Sequence, residues 1–152
     1  MATAEQVTLS EPHPPKEASI KAFDEILPNL KDELTEVRRN HDKHEPEYFR
    51  AVKHLDDNQL TSFDSSNLEY VRVAETAYGL HLFGKVKLPA LDDGYIHVRI
   101  FISAKDGTDG RDLEERQAKL HSIHTEEVVK ADGDHVYRAV FGKNDQLEWF
   151  ET

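Results

Sequence analysis

Nine histidines are the residues of this chain best suited to chemistry. His41 and His44, and again His121 and His124, stand three apart, a spacing that sets both imidazoles of a pair on one face of a helix as metal ligands. Neither pair has a third ligand at motif spacing, so these residues read as scattered surface histidines and no metal or other cofactor is expected. Asp106-Gly107-Thr108-Asp109-Gly110 has the composition of a calcium loop. It lacks the alternate-position oxygens of such a loop and a glutamate where the bidentate ligand belongs, and reads as a solvated turn. No nucleophile elbow, phosphate-binding glycine loop or dinucleotide fingerprint occurs. The 30 acidic residues contain no acid–base pair that spacing alone can single out. Trp149 and Phe150 are expected to close a core rather than to stack on a ligand. The balance favours a non-enzyme.

The totals narrow the classes further. The 152 residues suffice for one domain with a core, and 38% hydrophobic with 32% charged residues is a globular composition. A formal net charge of −11 argues against nucleic acid or an anionic membrane as partner. With no cysteine, disulfides, thiolate metal sites and a cysteine nucleophile are excluded, and a reducing compartment is permitted. Met1 to Ser10 carries neither the basic nor the apolar part of a signal peptide. No apolar run approaches the ~20 residues of a membrane span.

The elements that must position any site begin with an extended trunk, residues 1–15, ended by Pro12, Pro14 and Pro15. From Lys16 to about Asn40, Ile20, Phe23, Leu27, Leu30, Leu34 and Val37 form one helical stripe, in phase across Pro28, where a bend is expected. The strongest strand signal is Tyr95 to Ser103. Ile96, Val98, Ile100 and Ile102 point one way, towards the core, and Tyr95, His97, Arg99, Phe101 and Ser103 point the other. Tyr48 to Leu55 reads as a weaker strand, 56–67 as a loop, and Glu69 to Tyr78 and Leu80 to Leu88 as strands about Gly79. Pro89 to Gly94 reads as a hairpin connection. Arg111 to Asp132 is ambiguous between a short helix and a strand over Lys119 to Val129. His135 to Phe141 and Gln146 to Phe150 read as the last strands. The expected class is α+β, one domain over 1–152, with the helix stripe packed on Val98 and Ile100.

Read in this order, the chain resembles the stefins, the cytosolic branch of the cystatin cysteine-protease inhibitors. The resemblance rests on Leu9-Ser10-Glu11 with the prolines after it, Ile20 through Pro28-Asn29-Leu30-Lys31-Asp32-Glu33, and Tyr48-Phe49-Arg50-Ala51-Val52. It continues in Val73-Ala74-Glu75-Thr76-Ala77-Tyr78, Tyr95 to Phe101, and Lys143 to Phe150. It implies a cystatin-like fold, one long N-terminal helix wrapped by an antiparallel sheet of about five strands. It also implies a wedge of trunk and two hairpins that plugs the cleft of a papain-like cysteine protease. The protease-binding residues would be Val7, Thr8 and Leu9, then Val71, Val73, Ala74 and Glu75, then Ala104 and Lys105. A cytoplasmic monomer is implied, with a domain-swapped dimer as the alternative.

The chain departs from the family at those positions. Val7 and Thr8 replace the trunk glycine, Val71-Arg72-Val73-Ala74-Glu75 keeps only the middle valine of Gln-x-Val-x-Gly, and Ala104-Lys105 replaces Leu-Pro. A glutamate pushed unpaired into an apolar cleft costs several kcal/mol, so weak inhibition is expected of a divergent inhibitor. The alternatives are a non-inhibitory binding module on the same fold and, less favoured, a small enzyme with a deep polar pocket in a related curved sheet.

Overall fold

A computed structural model describes residues 9–103 and 117–151. The chain is α+β: one long helix, a four-stranded antiparallel sheet and a separate two-stranded ribbon. The helix, α1, runs over Glu17–His44 without a break at Pro28. Pro28 lies on the exposed side, and Asp24, whose carbonyl loses its donor there, is an exposed residue. The buried line is Ser19, Ala22, Phe23, Ile26, Leu30, Leu34 and Arg38. Ile20, Leu27 and Val37, expected on the stripe, sit only half-buried at its flanks. The line advances by fours from Ile26, so it ends on Arg38 rather than Val37. Arg38 is a core residue because its guanidinium is satisfied, donating to Val52 O at 3.2 Å, Leu55 O at 2.8 Å and Asp57 Oδ1 at 2.5 Å. Leu27→Ala should accordingly cost about 1 kcal/mol in urea unfolding. A loss above about 3 kcal/mol would mean the stripe does centre on Leu27.

Two connections differ from their sequence reading. Tyr48 to Leu55 is not a strand; Pro46–Val52 is two 3-10 turns that meet at a kink at Phe49. Phe49, Val52 and Leu55 recur every third residue and are buried, a period that suits 3-10 geometry and not a pleat. The segment 56–67 contains the helix α2, Asp57–Leu60, and a 3-10 turn, Ser65–Asn67. Both start with a capping box, Asp56 with Gln59 and Asp64 with Asn67. The caps free Leu60 and Phe63 to bury fully.

The sheet has the order β1 (Leu68–Thr76), β2 (Gly79–Lys87), β3 (Tyr95–Ser103) and β4 (Ala118–Ile123). Gly84 of β2 lies opposite Val71 and Val98. A Cβ there would come within 2.8 Å of Leu68 Cδ1, so glycine lets β1 and its bulge pack close. Within the ambiguous stretch, the described part is strand: β4, then β5 (Glu126–Val129) paired with β6 (His135–Arg138) as the ribbon. Past the ribbon, Phe141 takes the edge of β3 that β4 leaves, pairing with Tyr95. The inner face, with Val71, Leu82, Val86, Ile96, Val98, Ile100 and Ile102, joins the helix line in one core.

The outer face, to which the alternation turns Tyr95, His97, Arg99, Phe101 and Ser103, is covered as well. His81, Phe83, Lys85, His97 and Arg99 are all buried. Gln146 to Phe150 forms no strand. Residues 141–151 instead lie across this face as a strap, with Phe83, Leu147 and Phe150 forming a second apolar cluster flanked by Leu9 and Trp149.

Candidate binding end of the sheet

Three segments converge at one end of the sheet. β1 and β2 meet through Ala77-Tyr78, and Gly79 at the start of β2 lies opposite Ser103 at the end of β3. The trunk runs along the free edge of β1, antiparallel to it. Val71 N–H donates to His13 O at 2.8 Å and Ser10 N–H to Val73 O at 2.9 Å, so Leu9 faces the same end as Tyr78 and Ser103. Arg72 Nε and the Val73 amide also hold Ser10, each at 2.8 Å. The trunk thus takes a fifth, short edge position beside the four strands.

The turn itself is braced. Thr76 Oγ1 donates to Gly79 O at 3.0 Å and accepts the Tyr78 amide at 3.2 Å. Gly79 has φ 148°, a conformation that side-chain-bearing residues rarely adopt. Tyr78 stands 69% exposed at the tip.

The expected contact residues are distributed differently. Val71, Val73, Ala74 and Glu75 lie inside β1, paired with Gly84, Leu82, His81 and Leu80. Val71 and Ala74 are fully buried, Val73 is half-buried and Glu75 is exposed one residue before the strand ends. Alternation in the sequence located both the strand and the break at Gly79, whereas the resemblance set the inhibitory pattern on residues 71–75, inside the strand. Leu9 packs on the outer cluster beside Phe83 and Phe150. Val7, Thr8, Ala104 and Lys105, and the aspartate–glycine loop 106–110, lie outside the described residues.

The outer face holds charge that sequence reading missed. Arg72, Lys85 and Arg99, on three successive strands, each donate to backbone carbonyls of the strap. Arg72 Nη1 meets Leu147 O at 2.7 Å, and Arg99 Nη1 meets Phe150 O at 2.9 Å. Lys85 Nζ meets Gly142 O at 2.8 Å, Lys143 O at 3.1 Å and Asp145 O. Arg99 also lies 4.5 Å over the Trp149 ring, 3.2 Å from Glu151 Oε2, and donates to His81 Nδ1. Burial, then the Arg99 charge, pushes the His81 imidazole down to about 4. His97 stacks on Phe141 at 4.4 Å, and burial, then Lys85, pushes it down to about 3. Its Nε2 meets no hydrogen-bond partner among the described residues. The period-two pattern of 95–103 gave these side chains their face, but nothing local announced that a distant segment would cover it.

The histidine pairs do not form ligand sets. His41 packs tilted against Tyr48 at 4.3 Å near the end of α1, and His124 stacks on Phe150 at 4.3 Å past β4. Among the described residues no three of His, Asp and Glu are grouped to hold a metal ion. No described helix is long and apolar enough to cross a membrane. No family model matches the chain, and neither a curated protein nor a solved structure matches it.

Proposed function

We propose that this chain is a cystatin-like protein that offers the Leu9–Tyr78–Ser103 end of its sheet to the cleft of a papain-like cysteine protease, with contact residues of its own. The observation that carries this reading is the convergence of trunk, first turn and the end of β3 on one side of a sheet packed on a single long helix. The position of the turn strengthens it. Aligned on the turn, the family's five-residue pattern falls on Glu75-Thr76-Ala77-Tyr78-Gly79, and its glycine is Gly79. Glu75 then stands at the first position of the pattern and not at the tip, so its carboxylate need not enter an apolar cleft. Changing Val71 or Glu75 to mimic the family would repair nothing, and Val71→Gln would bury an amide in the core.

Titrating papain with the purified protein tests the reading. Reversible inhibition is expected, weakened at least tenfold by Tyr78→Asp, since a carboxylate desolvated in the interface costs more than the ~1.4 kcal/mol of one decade. The melting temperature should not move, because Tyr78 is exposed. Absence of inhibition by the natural sequence would end the protease reading. The non-inhibitory binding module is favoured by one observation: Leu9 is packed on the outer cluster instead of standing free. A pull-down in which Tyr78→Asp loses a partner that is not a protease would establish it.

A further inference from the structure

At the same end of the molecule, but between helix and sheet, lies an apolar cavity of about 240 Å³. Val73, Leu80, Leu82 and Ile102 of the inner face and Ala18 of α1 form its walls. At ~30 Å³ per water-sized group, it has room for roughly eight heavy groups of a ligand. Leu82 and Ile102 are each 3% exposed, so the floor belongs to the core, whereas Val73 and Leu80 are only half-covered and form an open mouth. An open-ended apolar slot takes a hydrocarbon chain more readily than a polar solute.

The rim sets the sign of the other end of that ligand. Lys16 and His13 border the mouth, and among the described residues no carboxylate lines it. This is unusual for a chain of net charge −11. Lys16 is also the N-cap of α1, and among the described residues no side chain caps the helix. The first turn of this 28-residue helix, which carries Glu17, leaves its amides without a side-chain acceptor among the described residues, and the cavity is bordered by that turn at Ala18 and Ser19. An apolar slot, a lysine and uncapped amides together fit one chemistry.

We propose that this cavity binds a free medium-chain aliphatic monocarboxylate, its alkyl chain on Leu80, Leu82 and Ile102 and its carboxylate at Lys16 and the first turn of α1. The site does not depend on the protease reading, and neither falls with the other.

The test is calorimetric titration of the full chain with butyrate, hexanoate, octanoate and dodecanoate, and with 1-octanol. Affinity should rise about fourfold per methylene up to about eight carbons, the ~0.8 kcal/mol of a buried methylene, and then level off as the slot fills. Octanol should bind at least tenfold more weakly than octanoate, and Lys16→Gln should lower the octanoate affinity severalfold. Ala18→Leu, which fills the slot with a good helix former, should abolish binding. Methyl shifts on octanoate addition should centre on Leu80, Leu82 and Ile102. Equal affinity for octanol, no dependence on chain length, shifts centred elsewhere, or binding to anionic vesicles but not to octanoate would each overturn the proposal. So would undiminished binding by Ala18→Leu.

Discussion

Arg99→Ala is expected to lower the free energy of unfolding by about 3–5 kcal/mol, the range for removing one side of a buried, charge-assisted arrangement. The side chain is 1% exposed and makes four attachments at once. It bonds Phe150 O, Glu151 and His81, and lies on the Trp149 ring. Alanine leaves a cavity the size of a guanidinium, a buried carbonyl without its donor and an indole without its cation. Glu151 contributes little to the loss, because its side chain is 49% exposed and water replaces the arginine. Trp149 is the chain's single tryptophan, so its emission reports the strap directly. Urea titration followed at Trp149 and by far-ultraviolet circular dichroism should show a lowered midpoint, with the tryptophan signal moving first. A loss below 1 kcal/mol would mean that the strap is not held by Arg99.

The second large effect is on pH. His97 and His81 have folded-state values pushed down to about 3 and about 4, from 6.5 in the unfolded chain. Between those values the unfolded state binds the protons and the native state does not. Stability contributed by the neutral, buried rings is therefore complete above about pH 6.5 and is lost as pH falls towards 4 and then 3. Each ring contributes a slope of up to ~1.4 kcal/mol per pH unit, so the pair should remove on the order of 3–6 kcal/mol between pH 7 and 4. The groups acting on His97 are Lys85, His124 and Arg138, which oppose its protonation, and Asp145, which favours it. Easing of repulsion among the acidic residues works against the trend. A paired variant isolates the term. His97→Phe, which replaces a ring already stacked on Phe141 and removes the unpartnered Nε2, should be as stable as the natural chain at pH 7 and fall less steeply towards pH 4. Identical slopes for the two proteins would show that His97 is not the titrating group.

The sequence was most legible where one element carries its own period. Tyr95 to Ser103 is a strand with the bounds its alternation predicts, and its apolar set does face the helix. The helix was legible for the same reason, though its buried line is rotated onto Ile26 and Arg38. Arg38 could not be read as core, because what makes it acceptable there is supplied by carbonyls at Val52 and Leu55. Tyr48 to Leu55 was misread because aromatic and β-branched residues favour a strand, while Phe49, Val52 and Leu55 satisfy a period of three once α1 is beside them. The break at Gly79 was legible from the two alternating runs on either side of it, but the resemblance set the inhibitory pattern on Val71 to Glu75, inside β1. The outer face was the least legible part. Its polar residues gave no sign of a cover, and their partners are carbonyls 51 to 75 residues away, from Arg99 with Phe150 to Arg72 with Leu147.

Those separations bear on the order in which the molecule is made. The helix, β1, β2 and β3 are all synthesised by Ser103, and the inner core can assemble around them as β4 follows. Arg72, Lys85 and Arg99 then wait on an open face, each hydrated, until residues 142–150 clear the ribosome and lay their carbonyls across it. For that interval the nascent chain displays Arg72, Lys85 and Arg99 beside Phe83, on a face that the strap covers in the finished molecule.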